Sequence, residues 1–178
     1  LTYNNLTLEN VAEYDTVNKV FLMGMTLFNV AISVFWAEIS HAKAQKNKAK
    51  LIELFNQLLL IALGFTICAL LFSYFIPQII LIWTKGMIKV QYSQIIPFLL
   101  LLAVQSFAYV GAVILNAYEE LKWQILLSLF SAILIIPLAK LFFNLKFGIG
   151  TVPLASAILV TPTLIYALIK AKSVINQV

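Results

Sequence analysis

Few side chains in this chain can do chemistry, and most of them lie inside apolar runs. Asp15 and Lys19 are four residues apart, the spacing of a helical ion pair. At about 100° per residue, Asp15, Asn18, Asn29, Ser33 and Trp36 share one helix face, with Lys19 and Thr26 on its flank. Val20, Met23, Leu27, Ala31 and Val34 occupy the opposite face. Further along, Gln105, Tyr109, Ala112 and Asn116 form a second polar face, and Lys140 stands alone in a fourth run, opposite Gln124, Ser128 and Ser131. Amides, hydroxyls and single cations at such positions suit hydrogen bonding and ion pairing rather than bond making. Polar groups in hydrocarbon cost free energy unless paired or wet, so the first stripe is expected to point into a bundle. It is then either the wall of a hydrated path or a set of interhelical bonds, each worth about 0.6 kcal/mol. Lys19 has two roles open to it, an anchor that snorkels to the interface or a contact for an anionic substrate. Lys140 has the same choice.

Other chemistry lacks its parts. His41 is the single histidine and Cys68 the single cysteine, so a His/Cys metal site is excluded and no disulfide can close within the chain. Cys68, set in an apolar run, reads as a small hydrophobe. Glu119 and Glu120 are adjacent and point to different helix faces, a poor acid/base pair. No Gly-rich phosphate loop or nucleophile elbow appears. The sequence predicts no enzyme, no cofactor and no metal.

The elements that must position these residues follow from composition. The chain has 178 residues, is 62% hydrophobic and only 11% charged. Soluble domains carry about 25% charged residues, and a chain of this size has too little interior to hide so much apolar surface. A bilayer is the solvent such a sequence needs. Five runs near the length that crosses about 30 Å of hydrocarbon predict an all-α integral membrane protein: about 16–38, 54–83, 95–117, 121–143 and 150–169. The second run is long enough to tilt or to end in an interfacial turn at Pro77 and Trp83. Strand-length alternation is missing, which disfavours a β-barrel. The connections leave no room for a soluble domain, so residues 1–178 read as one bundle. Pro97, Pro137, Pro153 and Pro162 place kinks or helix starts in three of the runs.

Twelve lysines, no arginine and seven acids give a net charge of +5. Without arginine, nucleic acid is not an expected partner. Lys43, Lys46, Lys48, Lys50, Lys122, Lys170 and Lys172 fall on one side of the predicted membrane, and Lys85, Lys89 and Lys146 on the other. The bias predicts a cytoplasmic lysine-rich side, with the C-terminus inside and the N-terminal end outside. Trp36, Trp83 and Trp123 each fall at a predicted span end, where interfacial aromatics belong.

Four stretches carry a family resemblance. "VAEYDTVNKVF" (11–21) and "FWAEISHAKAQKN" (35–47) resemble the eighth membrane helix, its end and the following cytoplasmic loop in Wzx-type polysaccharide-unit flippases, members of the superfamily that includes the multidrug extruders. "LNAYEELKWQ" (115–124) and "FGIGTVPLASA" (147–157) are similar to segments at the ends of helices ten and eleven. Tyr14, Lys19, Trp36, Ala42 and Asn116 match; Val34, His41 and Asn47 depart from the pattern.

The resemblance implies a bundle corresponding to helices eight to twelve of a twelve-helix carrier, which accounts for the odd helix count and for a chain that opens on Leu1. It implies a bacterial inner-membrane protein of O-antigen, lipopolysaccharide or related polysaccharide synthesis that translocates an undecaprenyl-diphosphate-linked oligosaccharide. Membrane lipids and polysaccharide polymerase or assembly proteins would be its partners. Lys19 and Lys140 would meet the diphosphate, while Asn29, Ser33, Gln105, Tyr109 and Asn116 would line the sugar path. Two alternatives stand beside it: a cation-coupled small-molecule exporter of the same superfamily, and a membrane scaffold that transports nothing. The exporter would need an essential carboxylate in mid-membrane, and no acid lies mid-span here.

Overall fold

The computed structural model describes residues 7–145 and 147–177. Lys146, one of the lysines used for orientation, lies outside them. Seven α-helices follow one another: α1 (Leu8–Ser33), α2 (Phe35–Ala44), α3 (Lys48–Ser73), α4 (Ile76–Trp83), α5 (Tyr92–Ala117), α6 (Lys122–Asn144) and, after a 3-10 turn at Gly148–Gly150, α7 (Thr151–Asn176). Among the described residues there is no strand. Five stretches are long and apolar enough to cross a membrane, the first being α1 and α2 taken together and the others α3, α5, α6 and α7 with its 3-10 turn. Helices are the expected solution, because in hydrocarbon each backbone N–H and C=O must find its partner within the segment.

The boundaries show which local signals mattered. Thr7 caps α1 by accepting from the Asn10 amide, and Asn47 caps α3 by accepting from Lys50. Gln91 and Gln94 cap α5 reciprocally. The long second run breaks after Ser73, and Pro77 sits in the first turn of α4, where a missing N–H costs nothing. The first and last spans outrun their apolar cores. Trp36 is near the start of α2 rather than at its end, and Lys170 and Lys172 ride on α7 rather than after it. Trp83 ends α4 and Trp123 opens the second position of α6, as interfacial anchors should.

α5 is the hub. It packs against α7 most extensively, then against α3, α1 and α2, whereas α6 rests chiefly on α7. Lipid removes the hydrophobic drive for helix association, so close packing and a few polar bonds must hold the bundle. Small residues supply the first: Gly111 of α5 meets Ala167 of α7, with Ala155, Ala157 and Ala171 also buried on α7. The second comes from Thr66 and the fully buried Ser106, 3.2 Å apart, and from the Ser131 hydroxyl donating to the Leu159 carbonyl at 2.9 Å.

Lysines fasten one end. Lys43 Nζ donates to the Ala117 carbonyl at 3.0 Å and lies 4.8 Å from the centre of the Tyr118 ring. Lys48 Nζ donates to the Asn176 carbonyl at 3.2 Å, and Lys170 stands 3.6 Å from Glu120. Two cations thus meet the carbonyl ends of α5 and α7, where the helix dipole favours positive charge. Burial pushes the Tyr118 phenol up, so the ring beneath Lys43 is neutral at ordinary pH. The lysine-rich end is therefore partly structural. Lys43→Met should lower unfolding stability by about 1–2 kcal/mol, whereas Lys172→Met, at an exposed site, should leave it unchanged. Thermal unfolding in detergent reads both.

Candidate functional site

The packed face of α1 is apolar. Val17, Phe21, Met25, Phe28 and Ile32 recur at helical spacing and are all buried. Aromatic contacts fix them: Phe98 of α5 lies 5.5 Å from Phe21 and 5.7 Å from Tyr14, and Phe28 stacks on Phe65 of α3 at 4.5 Å between ring centres. This corrects the expectation that the polar stripe points into the bundle. The stripe lies to one side of the packed face, with Asn18 and Asn29 half-buried and Asp15, Ser33 and Trp36 exposed. Phenylalanine gains more from helix contact than an amide does, and it takes the interface.

The second polar face is also marginal to the packing. Gln105 and Ala112 are half-buried, Tyr109 is 39% exposed and Asn116 is exposed. Lys140 is exposed near the end of α6, which touches neither α1 nor α5 to any extent. The structure therefore brings α1 and α5 together through Phe21 and Phe98 but leaves Lys140 apart.

None of the seven candidate residues makes an interhelical hydrogen bond among the described residues. Ser33 donates back to the Val30 carbonyl at 2.8 Å and Lys19 bonds Asp15 on its own helix. Besides the lysines at the helix ends, bonds between membrane helices come from Thr66, Ser106 and Ser131, which sequence reasoning did not single out as bundle contacts. Their only signal was a short hydroxyl in an apolar run. Asn29, Gln105, Tyr109 and Asn116 have no side-chain hydrogen bond to another helix among the described residues.

On the other flank of α1 a groove runs between α1, α3 and α4. It has a volume of about 730 Å³ and is walled by Leu27 and Gly24 on one side and Phe65 and Phe72 on the other, with Leu102 of α5 at its base. Lys19 is the one charged residue in its lining, and the exposed Cys68 is its one thiol. Lys19 thus borders this groove while its ammonium pairs with Asp15 of the polar stripe. Among the described residues no three His, Cys, Asp or Glu side chains gather at one point.

An all-α, multi-pass integral membrane protein is the class that this fold defines. No protein-family model matches the chain, and no curated protein or solved structure does so at a significant level.

Proposed function

We propose that the chain supplies the last five membrane helices of a twelve-helix carrier that translocates an undecaprenyl-diphosphate-linked oligosaccharide across the bacterial inner membrane. The observation that carries this reading is the set of unpaired amides and phenol on α1 and α5. Asn29, Gln105, Tyr109 and Asn116 lie within or at the ends of membrane helices and have no interhelical hydrogen-bond partner among the described residues. Such groups are costly against lipid. Water and sugar hydroxyls beside them, enclosed by a second helical lobe, would satisfy them. The resemblance in residues 11–21, 35–47, 115–124 and 147–157 supplies the class of solute.

In this account the sugar head passes along the α1–α5 polar flank while the two lobes alternate access. Lys19, at the outer end of the α1 stripe and paired with Asp15, and Lys140, apart on α6, act as interfacial anchors. The lysine-rich end faces the cytoplasm and carries the C-terminus, following the charge bias. The protein performs no bond chemistry. The scaffold alternative would leave the four polar groups idle.

Proteoliposomes loaded with a fluorescent lipid-linked oligosaccharide test the reading. The 178 residues alone should transport nothing, and the same five helices joined to seven preceding ones should transport. Translocation by the isolated chain would refute the two-lobe account, and none by the twelve-helix protein would refute the carrier.

A further inference from the structure

The groove between α1, α3 and α4 carries charge only at its rim, and the arrangement of that charge is specific. Lys19 lines the groove, and its ammonium pairs with Asp15 one turn nearer the start of α1, away from the hydrocarbon. Both side chains stay more than half exposed, at 60% and 56%, so the pair is open to a third group. Trp83, from the end of α4, lines the same groove. Apolar side chains from three helices make up the rest of its wall, and an empty trough of that kind forfeits dispersion contacts on one side.

We infer that this groove seats one hydrocarbon chain of a phospholipid with an aminoethyl-phosphate head, its phosphate on Lys19 and its ammonium on Asp15. In such a lipid the phosphate adjoins the chains and the ammonium lies beyond it. Lys19 adjoins the groove and Asp15 lies beyond it, so the two dipoles run antiparallel. A purely anionic head would meet Asp15 with repulsion. A trimethylammonium head offers Asp15 no N–H to accept from. The groove is separate from the polar face of α1, to which Asp15 belongs, and the site stands whichever solute that face carries.

Native mass spectrometry tests the assignment on the 178-residue protein released from nanodiscs of equal phosphatidylethanolamine and phosphatidylglycerol. Wild type should retain the ethanolamine lipid with a preference roughly fivefold above that of the paired variant Asp15→Lys with Lys19→Asp, the scale of one exposed ion pair. That variant keeps an ion pair and reverses its direction, so helix α1 is preserved. Gly24→Phe should fill the trough, since a Cβ there meets nothing closer than Phe65 Cζ at 3.8 Å, and should abolish the preferred lipid at unchanged helicity. Equal retention ratios in wild type and the reversed pair would overturn the proposal. So would a preference that survives Gly24→Phe in a folded protein. If that variant does not fold, the reversed pair decides alone.

Discussion

Gly111→Leu should not yield a folded, monodisperse protein, and Gly111→Ala should lower unfolding stability by about 1–3 kcal/mol. A Cβ built on Gly111 falls 2.6 Å from the carbonyl carbon and Cβ of Ala167 and 2.8 Å from its carbonyl oxygen. Those atoms are backbone and the first side-chain carbon, which cannot swing aside, so α7 itself must move. The α5–α7 seam is the largest contact in the bundle, and α6 depends on α7 for its place. Separation there would propagate to three of the five membrane segments. Gly64→Ala is the matched control, because nothing lies within 4 Å of its added Cβ. It should be neutral or slightly stabilising through helix propensity. Detergent-phase thermal unfolding, with size-exclusion chromatography for Gly111→Leu, reads the difference.

The second large effect concerns function. In the twelve-helix carrier, Asn29→Leu with Asn116→Leu should cut oligosaccharide translocation at least about tenfold while leaving expression and helicity intact. Each amide offers a hydrogen bond worth about 1 kcal/mol to a sugar hydroxyl in a partly dry path, and two together, about 2 kcal/mol, exceed a factor of about ten. Neither residue bonds another helix among the described residues, so stability should not fall. A scaffold would tolerate the change in every assay. Initial rates in proteoliposomes at matched protein density make the comparison.

Much of the fold was legible from the sequence because a bilayer imposes simple rules. Run length gave five spans, and Trp83 and Trp123 sat at helix ends as interfacial residues must. The helix ends were harder. The ends read at 83 and 117 coincide with those of α4 and α5, whereas the first run ends at 38 and α2 continues to Ala44, where Lys46, rather than the usual glycine, takes the positive φ beyond the stop. The lysines of the second and third helices looked like loop charge, yet Lys43 and Lys48 close the carbonyl ends of α5 and α7 across long sequence separations. Periodicity alone could not reveal that partner.

For the candidate site, helical spacing grouped the polar residues into faces but did not show that the packed face of α1 would be the apolar one. Wheel geometry reports which residues point together, not which neighbour they meet. Phe21, Phe28 and Phe98 settled that through ring contacts between helices distant in sequence. The groove was invisible for the same reason. It exists only where α1, α3 and α4 diverge, and its lining reads in sequence as ordinary apolar residues.

The central claim is that the α1–α5 flank carries the sugar, and photocrosslinking tests it most directly. A p-benzoylphenylalanine placed at Tyr109, in the twelve-helix carrier, should crosslink to a radiolabelled lipid-linked oligosaccharide on irradiation. The same group at Ile133, exposed on the outer face of α6, should not. Labelling at Ile133 equal to that at Tyr109, or no labelling at Tyr109 in a transporting protein, would contradict the account.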